Sequence, residues 1–138
     1  MDARRREPLP RAGDTGTDMK FGYPEDKWNA AKEEIRAALI ETARQRGMIT
    51  YGDLVDKVKA IAIPAHGPAI GKILGEISCG EDAQGRGMLT IIVVHKYGDM
   101  EPGPGFFELA RDLGRDTSDV TKCWVEELKR VYAYWRDH

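Results

Sequence analysis

Only one run in this 138-residue chain is rich in β-branched residues: Met88-Leu89-Thr90-Ile91-Ile92-Val93-Val94. It reads as a buried strand, and a lone strand cannot supply a sheet-based core. The remaining apolar residues recur at three- and four-residue steps, which is the period of helices. Trp28, Ala31, Ile35, Ala38, Leu39 and Thr42 follow Pro24 in this way, with Glu25 and Asp26 at the positive end of the dipole and Arg44, Arg46 and Gly47 at the stop. A second, short helix is expected from Thr50, as N-cap, to about Ala60, with Asp53 answering in a shortened capping box. Pro64, His66 and Gly67 then make a turn, and Pro68 opens a third helix with Ile70, Ile73, Leu74 and Ile77 on one face. Phe106 to Leu113 forms another, ending at Gly114. Asp116, Ser118 or Asp119 caps the last, whose stripe is Val120, Trp124, Leu128, Val131, Tyr132 and Trp135.

The predicted fold class is therefore mainly α with a small β element. A helix-turn-helix followed by a strand and the Gly/Pro-rich loop 95–105 has the order of a winged-helix domain, here with additional N- and C-terminal helices. At this length one domain is expected, over residues 23–138, preceded by a disordered arm over 1–22 that carries Arg4-Arg5-Arg6, two prolines and little to bury. Gly71 and Gly75 interrupt the third helix at a spacing of four, each costing about 1 kcal/mol in propensity. They suggest close approach of a backbone, from a helix or a ligand.

Composition narrows the function classes. Apolar residues make up 41% and charged residues 32%, as in globular chains, and no apolar run approaches the roughly 18 residues that span a bilayer. Met1 to Arg6 is basic but is followed by Glu7-Pro8-Leu9-Pro10 rather than a hydrophobic stretch, so no secretory signal is read and a cytoplasmic location without membrane contact is expected. The two cysteines, Cys79 and Cys123, give neither a disulfide scaffold nor a metal knuckle, and His66, Cys79, His95 and Cys123 match no zinc spacing. Phosphate-cradling loops, nucleophile elbows and His-Glu-x-x-His are absent from the sequence, so no cofactor and no metal are expected. The formal charge of -2 argues against a dedicated polyanion binder, but the deficit lies wholly in residues 99–118, where five carboxylates oppose Arg111 and Arg115. The helix-turn-helix and the strand are balanced.

Three motifs carry a specific resemblance. Ile49-Thr50-Tyr51-Gly52-Asp53-Leu54, Ile70-Gly71-Lys72-Ile73-Leu74-Gly75 and Val93-Val94-His95-Lys96 resemble the DNA-binding domain of the alkylguanine alkyltransferases and alkyltransferase-like proteins. The resemblance covers about Ile49 to Lys96. It implies that Tyr51 stands where the family's phosphate-contacting tyrosine lies, Lys72 where its intercalating arginine lies, and His95 on the family's histidine. Val94 falls on the nucleophilic cysteine, and valine cannot accept an alkyl group, so alkyl transfer by that mechanism is ruled out under this alignment. Lysine for arginine also departs from the pattern, since an ammonium does not stack as a guanidinium plane does.

The leading expectation is a noncatalytic, duplex-DNA-binding protein that uses Tyr51, Lys72, His95 and Lys96. The alternative is a protein-interaction module on the same scaffold, recognising a polypeptide partner through the acidic segment 99–118. Each residue also has a plainer reading: Tyr51 packs at a helix start, Lys72 is a solvated charge, His95 is a hydrogen-bonded structural histidine, and Phe106 and Phe107 anchor their loop in the core rather than forming a wedge. A small enzyme using His95 with Glu101 or Glu108 is the third possibility.

Overall fold

The computed structural model of the protein describes residues 19–20, 22–65, 67–95 and 104–138. The chain begins with a two-residue antiparallel pair, β1 (Met19–Lys20) on β2 (Tyr23–Pro24), with Gly22 at φ +86° in the reversal between them. Backbone pairing begins at Met19, and residues 1–18 of the expected arm lie outside the described residues.

Helix α1 (Glu25–Arg44) buries Trp28, Ala31, Ile35 and Leu39 as its periodicity predicts; Ala43 joins them, while the expected Ala38 and Thr42 are only half-buried. Its end is a Schellman motif: Gly47 N–H reaches Thr42 O at 2.9 Å and Arg46 N–H reaches Ala43 O at 3.0 Å, with Arg46 itself at φ +56°. That left-handed conformation costs a residue with a Cβ about 1 kcal/mol or more. After α1 comes β3 (Ile49–Thr50), then α2 (Tyr51–Val55), where the Thr50 hydroxyl accepts from the Asp53 amide at 3.2 Å. Helix α2 ends five residues before the expected Ala60. The reason is a competing acceptor: the Glu34 carboxylate of α1 takes the Lys59 and Ala60 amides at 3.0 and 2.9 Å, so these groups are satisfied without helix.

Helix α3 (Pro68–Ala83) starts at the predicted proline and buries the predicted Ile70, Ile73, Leu74 and Ile77. The β-branched run departs from expectation. Leu89–Ile92 is a 3-10 turn, closed by Ile91 N–H to Met88 O at 3.0 Å, and only Val93–Val94 forms a strand, β4. Among the described residues its one partner is β3, two residues long, paired in parallel as Ile49↔Val93 and Thr50↔Val94. With no further edge on offer among the described residues, the rest of the run meets its backbone needs by local turns while its side chains pack against α1, α3 and α5.

Helix α4 (Pro104–Asp112) ends at Gly114, at φ +92°. Asp119 caps α5 (Val120–Arg136), accepting the Lys122 amide at 3.1 Å. The buried stripe of α5 is rotated from the expected one: Val120 is 45% exposed, while Cys123 and Glu127 are buried with Val131, Tyr132 and Trp135. Burying a carboxylate is tolerated because it is fully engaged. Glu127 accepts from the Met88 amide and from Arg115 and Arg130, and Arg115 in turn reaches Asp82 on α3. The described residues are thus mainly helical with two small strand pairs, and none of their helices is long and apolar enough to cross a membrane.

Candidate nucleic-acid interface

The two rungs between β3 and β4 fix what lies beyond them. Tyr51 and His95, each the next residue after a paired position, come side by side with ring centroids 5.0 Å apart and planes 30° from parallel. Tyr51 is half-buried and His95 is exposed. Val94, one residue inside, is completely buried and has no nucleophilic atom. The remaining thiols lie elsewhere: Cys79 is exposed on α3, and the Cys123 thiol is buried, which pushes its pKa up and keeps it protonated.

Beneath Tyr51 opens a cavity of about 240 Å³ between α3 and α4. Leu74, Phe106 and Leu109 are its apolar walls, Gly71 and Gly75 its bare helix side, and Thr90 its polar point, 2.6 Å from the Ser78 hydroxyl. No helix backbone approaches the glycine pair. A Cβ at either Gly71 or Gly75 would meet no atom within 4 Å, so these residues leave open space rather than admit another backbone. A second recess of about 400 Å³ runs on along α3 past Lys72 and Cys79, sharing Gly71, Gly75 and Leu109 with the first.

Lys72 is exposed on this face and has no ion pair among the described residues. By contrast, the three carboxylates of α3 are all engaged: Glu76 by Lys32, Glu81 by Arg36 and Arg86, and Asp82 by Arg115. A helix formally acidic by composition therefore presents one uncompensated positive charge at its open face. Lys96 lies outside the described residues, as do His66 and Glu101. Glu108 is exposed on α4, and no hydrogen bond joins it to His95 among the described residues. Nor do the described residues group three or more potential ligands about a metal position.

The sequence reading singled out Tyr51, Lys72 and His95 but missed the cavity. Phe106 was legible as one of two aromatics after the Gly/Pro loop. It lines the cavity and packs against the main core, while its ring meets Phe107 edge to face at 5.4 Å. Thr90 gave no sequence signal, being hidden within a run that read as strand. Comparison of the chain with protein families, with curated proteins and with solved structures found no match.

Proposed function

We propose that the protein is a noncatalytic nucleic-acid-binding protein of winged-helix type, with α3 as the helix that enters a duplex groove. The observation that carries the reading is the Tyr51–His95 ring pair, assembled from two distant motifs, with Tyr51 lining the α3 cavity and Lys72 lining the recess that adjoins it. An exposed imidazole, a half-buried phenol and an exposed lysine on α3 offer donors and flat faces to a phosphate backbone and its bases. Duplex DNA is the expected partner, by the resemblance of the three motifs that meet here. The buried Val94 supports binding without alkyl transfer. In fluorescence anisotropy with a short labelled duplex, binding weakens steeply with salt, because neutralised phosphates release counterions. Tyr51→Ala, Lys72→Glu and Lys96→Glu each reduce affinity; unchanged affinity in all three overturns the reading.

A second reading has one observation in its favour. Arg115, one of two arginines in the acidic segment 99–118, is drawn inward to Glu127 and Asp82, which leaves the exposed Asp112 and Asp116 with less compensation. Such a surface beside an apolar cavity suits a basic, apolar polypeptide. Binding of a protein partner that persists at high salt, with no response to duplex, selects this reading instead.

A further inference from the structure

The C-terminal turn of α1 carries a residue choice that helix capping does not explain. Three helices end in the same Schellman pattern, and at the left-handed position α3 has Gly85 (φ +77°) and α4 has Gly114 (φ +92°). Helix α1 alone puts a side chain there, Arg46 at φ +56°, although Gly47 is the very next residue. A position that favours glycine has been given to a guanidinium.

That guanidinium lies over the Tyr132 ring, 5.1 Å from its centroid, and the neighbouring Arg44 lies over Trp135 at 5.8 Å. Both arginines are exposed, and both rings are anchored in the core, Tyr132 also through its hydroxyl to Gly47 O at 2.7 Å. Stacking holds the two planes in place and leaves outward donors for an oxyanion. Arg44 spends one terminal nitrogen on His138 O, at 2.7 Å, and keeps its other donors, while Arg46 has no ion pair among the described residues and the nearby Asp137 is taken by Arg136.

We infer that Arg44 and Arg46 form a phosphate-binding platform that extends the α3 interface along the backbone of the same duplex. This rests on the proposed nucleic-acid reading. Arg46 and Tyr51 are five residues apart, so their Cα atoms lie within about 18 Å, the reach of an extended chain of that length. Along duplex DNA that distance is about five base pairs. A single bound duplex is therefore long enough to span both.

Arg46→Gly separates the two roles an arginine can have here. It relieves the left-handed backbone, so the melting temperature holds or rises, while duplex affinity in the full-length protein falls about threefold to tenfold. The slope of log affinity against log salt becomes shallower by about one unit, and by about two in Arg44→Gln/Arg46→Gly, since each phosphate contact contributes about 0.9. If affinity and slope are unchanged while Lys72→Glu weakens binding, the platform is overturned and the α3 reading stands. If the arginine variants weaken binding and Tyr51→Ala, Lys72→Glu and Lys96→Glu do not, the platform stands and the α3 reading falls. A wild-type protein that does not bind the labelled duplex overturns both.

Discussion

Arg115 meets Glu127 through two hydrogen bonds, Nε to Oε1 at 2.9 Å and a terminal nitrogen to Oε2 at 3.1 Å, with the carboxylate 1% exposed. The Met88 amide also donates to Oε2, at 2.8 Å, so one side chain of α5 ties down the entry to the buried turn and the loop after α4. Removing Glu127 leaves Arg115 with Asp82 as its only carboxylate and strands the buried Met88 amide. Glu127→Ala is therefore expected to lower unfolding free energy in urea by about 3–5 kcal/mol. The double variant Glu127→Leu/Arg115→Met should recover part of that loss. Strictly additive losses would show that the pair is not the source of the effect.

Glu81 gives a pH dependence with a defined sign. Burial alone would raise its pKa, but hydrogen bonds from Arg86 and Arg36 outweigh burial and hold the carboxyl below its ordinary value of 4.5. A folded-state value below the unfolded one means stability that is full above 4.5 and lost as the pH falls through the depressed folded value. Glu81→Gln is expected to be less stable than wild type near neutral pH, with the gap narrowing in acid as the wild-type carboxyl protonates. Urea midpoints across that range check it; a constant gap contradicts it.

Gly75 sits within α3 with open space where a Cβ would be. Gly75→Ala should stabilise the helix by about 0.5–1 kcal/mol, read as a higher melting temperature. The same methyl narrows the α3 cavity, so duplex affinity should drop as stability rises. A lower melting temperature would mean that the glycine is needed for packing.

The Glu34 carboxylate replaces helical hydrogen bonds at the Lys59 and Ala60 amides. Glu34→Ala should raise hydrogen exchange at these two amides and cost about 1 kcal/mol, while the α3 amides stay protected. Unchanged exchange at Lys59 and Ala60 would sink the assignment.

Helix positions were largely legible because their signals are local. Pro68 opens α3, Thr50 caps α2 and Asp119 caps α5, each through the side chain that the sequence nominates or the ring that it supplies. Departures arise where a distant group competes. Glu34 ends α2 early, the two-residue β3 limits how much of the 88–94 run can pair, and Arg115 makes Glu127 admissible in a stripe read as Leu, Val and Trp. The Tyr51–His95 neighbourhood was not legible, since spacing within one sequence does not say which strand ends meet. The open cavity was not legible at all: Gly71 and Gly75 read the same whether a backbone fills the gap or nothing does.

The two-rung ladder between β3 and β4 also constrains how this face comes into being during folding. Joining Thr50 to Val94 closes a loop whose entropic cost is roughly 3 kcal/mol, more than two isolated backbone hydrogen bonds return. The ring pair must therefore assemble late, after α1, α3 and α5 have closed around the 89–92 turn. Contact between the two rings then marks the fully folded population.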